Sequence, residues 1–384
     1  MDDIPPYPLY NRTYNLYRLS PLHHGDAPLL AHRALRMHAK RLKEQLKGDN
    51  VRGVQVDFAS AEDTAKLGPL EDCTWDLLGD EDAWIDRHHQ LQDPEASPPS
   101  PPTEVRGIEV SLEYEKQSYN ALLLRDASNT TVPDGFSSLP LLLVKMPGPV
   151  RDVFLQYLRT AFDAHVAPFR LSSTFITGST ETYFRHLSAS TSTQTIQDVV
   201  RQLNVQLAFP NTTSLLKHLD ITIAAADVPG FVTRGKHARG SPFTAALSSY
   251  LAKHLALDLS HPKAQISRIS CNSFHLGTER LKLAAPDTLA DASFSDGSGA
   301  TQDASAGQLA VEEFLTSLIR EAAGSGKFLP ENLTTSLRDS PPLSTASAKN
   351  GTRKRAVSSV AATNGNKKRT KAKGNDVDEE MDDL

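Results

Sequence analysis

Apolar positions recur along the chain with two periods. Val150, Val153, Phe154, Tyr157, Leu158, Ala161 and Phe162 follow the i, i+3, i+4, i+7 rule of an amphipathic helix. Pro147 and Pro149 mark its start, and Pro168 lies beyond its end. A second helix is expected from Asp26, with Pro28 in its first turn, the stripe Leu35, Leu42, Leu46, and Gly48 as its stop. Others are expected over 172–187 (Phe175, Ile176, Tyr183, Phe184), after Ser241-Pro242 (Phe243, Leu247, Tyr250, Leu251, His254, Leu255), and around Val311, Phe314, Leu315, Leu318 and Ile319.

Strict alternation marks strands at Val54, Val56, Phe58; at Ile108, Val110, Leu112, Tyr114; at Leu203, Val205, Leu207, Phe209; and at Leu219, Ile221, Ile223, Ala225. Ala121–Leu124 and Leu141–Val144 read as neighbouring strands, and 266–271 with 274–283 as a hairpin. Residues 126–138, the glycine- and base-rich 229–240, and 285–307 read as loops. Trp75 and Trp84 lie in an acidic stretch, 72–86, as core or edge aromatics. Strands come in pairs, with helices between the groups. The predicted fold is therefore α+β: a mixed, mostly antiparallel sheet with helices packed on one face, plus a disordered C-terminal tail.

Polar stretches divide the chain. Residues 1–92 form an N-terminal α/β part of the body, and 93–104 a Pro/Ser-rich linker or loop that cannot be helix or inner strand. Residues 105–328 form the main sheet part, and 329–384 the tail. Ser340–Asn375 holds nine lysines and arginines and no acid, with too little apolar surface to offset the entropy of ordering. Arg353, Lys354 and Arg355 form one cluster; Lys367, Lys368, Arg369, Lys371 and Lys373 form a second, with 11 residues between them. That is the pattern of a bipartite nuclear import signal, and its bland alternative is a solubilising tail. The end, from Asp376, is acidic. Ser97, Ser100 and Ser340 each precede a proline and are candidate phosphorylation sites.

Composition narrows the chemistry. Among 384 residues the net charge is −5, which argues against coating nucleic acid along the whole chain. The two cysteines, Cys73 and Cys271, fit a reducing compartment, and Cys271 reads as a buried, inert strand residue. No secretory leader pattern opens the sequence and no apolar run approaches bilayer length, so an intracellular, soluble chain with no membrane partner is expected. Gly324-Ser325-Gly326-Lys327 lacks the first glycine of a phosphate loop, its Ser/Thr and its strand-to-helix context. The pairs His23-His24 and His88-His89 point apart and do not chelate on their own. No enzyme, cofactor, metal or small-molecule substrate is expected. Two basic sites remain. Arg33, Arg36, Lys40, Arg41, Lys43 and Lys47, with His32 and His38, line the polar faces of the first helix, and Arg234, Lys236 and Arg239 sit in the 233–240 loop. Each reads either as a solvated surface or as a phosphate-backbone contact.

The opening Pro5-Pro6-Tyr7-Pro8-Leu9-Tyr10-Asn11-Arg12-Thr13-Tyr14, continuing to Leu22, resembles the start of fungal centromere protein L homologues. Val51-Arg52-Gly53-Val54, Trp75 to Trp84, and Cys271 to Leu283 fit the same family, so the resemblance spans about residues 5–325. It implies a structural subunit of the inner kinetochore that pairs with a centromere protein N-type partner. It also implies contact with other inner-kinetochore subunits and with the centromeric nucleosome or its DNA. Carried onto this chain, it makes the strands at 264–283 (Ile266, Ile269, Phe274, Leu276, Leu281, Leu283) and the helix near 308–322 the candidate partner interface, and the basic helix and loop the DNA candidates. The competing readings are a nuclear DNA- or RNA-binding regulator acting alone and an unrecognised nuclear enzyme.

Overall fold

A computed structural model describes residues 5–47, 67–92, 102, 104–126, 132–189, 200–210, 216–238, 240–285 and 306–324. In chain order these form β1 (Thr13–Leu19), β2 (Leu22–His23), α1 (His32–Lys47), β3 (Leu70–Leu78), α2 (Glu81–Gln92), β4 (Gly107–Tyr114), β5 (Ser118–Leu124), β6 (Phe136–Ser137), β7 (Leu141–Lys145) and α3 (Gly148–Phe162). There follow β8 (Val166–Pro168), α4 (Ser173–Ala189), β9 (Gln202–Ala208), β10 (His218–Ala224), α5 (Val228–Arg234), α6 (Pro242–Leu255), β11 (Gln265–Ser270), β12 (Phe274–Gly277), β13 (Arg280–Leu283) and α7 (Ala306–Ala323).

One 11-stranded sheet organises the body, in the order β10-β9-β11-β12-β13-β1-β7-β5-β4-β3, with β8 joined to β1. Its strand pairs are antiparallel, as the paired order of strands predicts, and β2 pairs with β6 apart from it. The central strands β5 and β7 are uniform apolar runs because both their faces are buried. On one side Ala121, Leu123, Leu142 and Val144 join α1 and α3 over the β3 half of the sheet. On the other side Leu122, Leu124, Leu141 and Leu143 join α4, α6 and α7, which cover the β9–β13 half. The face covered by the long helices thus changes at the centre, while α2, through Trp84 and the Arg87–Asp76 pair, lies at the β3 end on the face opposite α1 and α3.

Four expectations change in detail. The first helix begins at His32 instead of Asp26, because Gly25 has φ +68° and the Pro28 carbonyl accepts the Ala31 N–H in a turn. The first half of the 229–240 loop is helical, since Phe231 and Val228 are buried and Pro229 suits a first turn. The 274–283 strand breaks at Thr278-Glu279 into β12 and β13. The acidic stretch at 72–86 holds most of β3, whose Cys73, Trp75 and Leu77 alternate inward, and the start of α2, and a bulge between Leu70 and Asp72 shifts the strand's register at its start. The Val54–Phe58 strand, the 93–101 part of the linker, most of the 285–307 loop and the tail lie outside the described residues. Among the described residues, no helix is long and apolar enough to cross a membrane.

Candidate partner and nucleic-acid surfaces

α1 presents a basic outer face. Leu35, Ala39 and Leu42 pack inward, while Arg33, Arg36, Lys40, Arg41 and Lys47 are exposed. Two of its cations have partners: Lys43 bonds Asp72 at 2.8 Å and Lys40 lies 4.0 Å from Glu44. The second basic group is described only in part. The Arg234 guanidinium lies 4.5 Å over the Phe231 ring, Lys236 is exposed, and Arg239 lies outside the described residues. Gly235 is fixed there by close approach, since a Cβ on it would sit 1.7 Å from the Pro242 carbonyl oxygen.

The six apolar residues expected at a partner interface are not on a surface. Ile266, Ile269, Phe274, Leu276, Leu281 and Leu283 are all 8% exposed or less and lie in the chain's own core with α4 and α7. Alternation is the reason, because the apolar half of each strand must face the helices. What these strands present is the other half of the alternation. Arg268, His275, Arg280 and Lys282 project from the sheet face opposite that core, which no helix among the described residues covers, with Asn204, Gln206 and Thr222 beside them. Arg268 and Gln206 both donate to Asp220, at 3.0 Å each, and Thr222 donates to Asn204 at 2.9 Å, which orders the face. Desolvation, then the charges of Arg268, Arg280 and Lys282, lower the His275 pKa. This face lies on the same side of the sheet as α1 and α3.

A third surface lies at the sheet's end. β10 is the terminal strand, paired on one side to β9. The chain runs from it directly into α5 and α6, where Tyr250 is 46% and Leu255 50% exposed. Tyr250 stands on the Phe231 ring at 5.6 Å and stacks with His254 at 4.4 Å. The import-signal clusters at 353–355 and 367–373, and Ser97, Ser100 and Ser340, lie outside the described residues.

A family model, centromere protein L, matches residues 8–323. The chain belongs to the centromere protein L family. It is a kinetochore protein of the nucleus, located at the centromere of the chromosome. No curated protein sequence matches it. The resemblance drawn from the opening proline- and tyrosine-rich segment is therefore correct. That segment is held by packing: Tyr7 donates to the Gly79 carbonyl at 2.7 Å, Tyr10 to Glu81 at 3.2 Å, and Trp84 to the Pro5 carbonyl at 2.9 Å.

One buried histidine contributes to the acid stability of the described body. His38 is buried and not on the basic face, with Nδ1 2.8 Å from the Tyr157 hydroxyl and its ring 4.5 Å from that of Phe162. Burial, then the Arg41 charge, pushes its imidazole down to about 4 from 6.5. The unfolded chain takes up this proton below 6.5 while the folded one does not until 4, so the contribution is full above 6.5 and falls away toward 4. Urea unfolding at pH 7 and pH 4.5 should show the natural chain losing about 2 kcal/mol more than His38→Phe. Equal losses would place His38 in an ordinary environment. Burial likewise pushes the Cys73 thiol up to about 12, and raises that of Cys271, which is half-buried just past β11.

Proposed function

We propose that this protein is a non-enzymatic scaffold subunit that pairs with a centromere protein N-type partner and links centromeric chromatin to the rest of the inner kinetochore. The supporting observation is the outer edge of β10, which pairs with no strand among the described residues, beside a helix pair that leaves Tyr250 and Leu255 exposed. An open edge takes an added strand through main-chain hydrogen bonds, and exposed aromatic and aliphatic anchors give such a contact its energy. In this reading pairing uses the end of the sheet, and β11–β13 support it from within.

DNA contact belongs, in the same reading, to the open face of Arg268, His275, Arg280 and Lys282, with the outer face of α1 as a second contact. The face carries the cations Arg268, Arg280 and Lys282 with the amides Asn204 and Gln206 beside them, which suits phosphate contacts. The test is DNA affinity measured across salt concentrations. Changing both Arg280 and Lys282 to Glu should reduce the slope of log K against log salt by about 2, near the −0.9 per phosphate expected of duplex DNA. An unchanged slope would remove this face from the DNA reading. The tail clusters at 353–355 and 367–373 serve nuclear import in this account, and Ser97, Ser100 and Ser340 remain its candidate phosphorylation sites.

A further inference from the structure

The start of α6 is capped from outside the helix. Ser241 occupies the N-cap position and Pro242 the first turn, yet Ser241 makes no side-chain capping bond. The cause lies on α4. Glu181, 3% exposed, accepts the Thr244 N–H on one carboxylate oxygen at 2.6 Å and the Phe243 N–H on the other at 3.3 Å. Those are the second and third amides of the helix, the pair that an N-cap hydroxyl ordinarily takes. Ser241 is therefore left with a spare hydroxyl. The residue is exposed, has non-helical φ −144° and ψ 62°, and precedes a proline.

We propose that Ser241 is a phosphorylation site for a proline-directed Ser/Thr protein kinase, and that its phosphate loosens α6. In the transfer, a bond forms between the Ser241 Oγ and the γ-phosphorus of ATP. The bond from that phosphorus to the β–γ bridging oxygen breaks, ADP leaves, and the hydroxyl proton passes to the kinase's base. A phosphate at a helix N-terminus usually stabilises the helix through its open amides and dipole. Here a buried carboxylate already holds those amides. The added dianion repels Glu181 and competes for the same two N–H groups, and either outcome weakens the hold of α4 on α6. The effect on partner binding, through Tyr250 and Leu255 of the same helix, rests on the function proposed above; the effect on the helix does not.

The test uses the full-length protein and no partner. It is incubated with a purified proline-directed kinase and ATP, and the sites are mapped by mass spectrometry. Phosphate is expected at Ser241; its absence there while Ser97, Ser100 or Ser340 is modified would overturn the site. Hydrogen exchange is then read on protein carrying phosphoserine only at position 241, in the natural background and with Glu181→Gln, which keeps an acceptor and removes the charge. Exchange at the α6 amides should quicken about tenfold in the first and slow in the second. Slower exchange in both would show that the phosphate caps the helix and would overturn the proposed effect. Ser241→Glu, which folds without a modifying enzyme, is expected to show the same change of sign.

Discussion

Changing Tyr250 and Leu255 together to Asp should abolish pairing and leave the free chain folded. Both side chains are about half exposed, so their loss removes little from the protein's own core. Surface changes of this kind shift stability by about 0.5 kcal/mol or less. At a paired interface the same groups are anchors, and each costs about 2 kcal/mol or more when lost. A charge facing an apolar partner adds its own desolvation penalty. Affinity for a purified centromere protein N-type partner should fall at least about 100-fold. Thermal unfolding of the variant alone checks that the fold survives. Full pairing by a folded variant would move the interface off this end of the sheet.

Trp75→Ala should cost about 3–5 kcal/mol of unfolding free energy, the range for deleting a large ring from a packed core. Trp75 is 3% exposed and stands at the centre of an aromatic group. Its ring lies 5.8 Å from His38, 6.1 Å from Tyr157, 6.3 Å from Phe162 and 6.4 Å from Phe154. These residues come from α1 and α3, so one side chain ties both helices to β3, the last strand of the sheet. The loss should therefore also loosen the basic face of α1. Urea unfolding gives the number, and a cost under about 1 kcal/mol would mean that the group is not a packing unit.

Much of the fold was legible because its strands alternate and its long helices are amphipathic. The Val150–Phe162 helix and the strand at Ile108–Tyr114 could be placed closely from period alone. β3 was missed although Cys73, Trp75 and Leu77 alternate, because Glu71, Asp72 and Asp76 make the segment read as polar. The 274–283 break was in fact written in the sequence, since Leu276 and Leu281 are five residues apart and out of phase for one strand; they face each other across the turn. The surfaces were harder. The family resemblance pointed to the 264–283 strands as a partner interface, but their apolar residues face the chain's own helices. The useful signal was the complementary set, Arg268, His275, Arg280 and Lys282, which becomes a surface only once the uncovered face of the sheet is known. Glu181 gave no local signal, because it caps a helix that begins 61 residues later in the chain.

The most direct measurement is affinity purification of the tagged, full-length protein from dividing cells, with mass spectrometry of what accompanies it. The account expects a centromere protein N-type subunit and other inner-kinetochore subunits with the natural chain, and their loss with the Tyr250→Asp, Leu255→Asp variant. Purification of the natural chain without any of them would contradict the scaffold role.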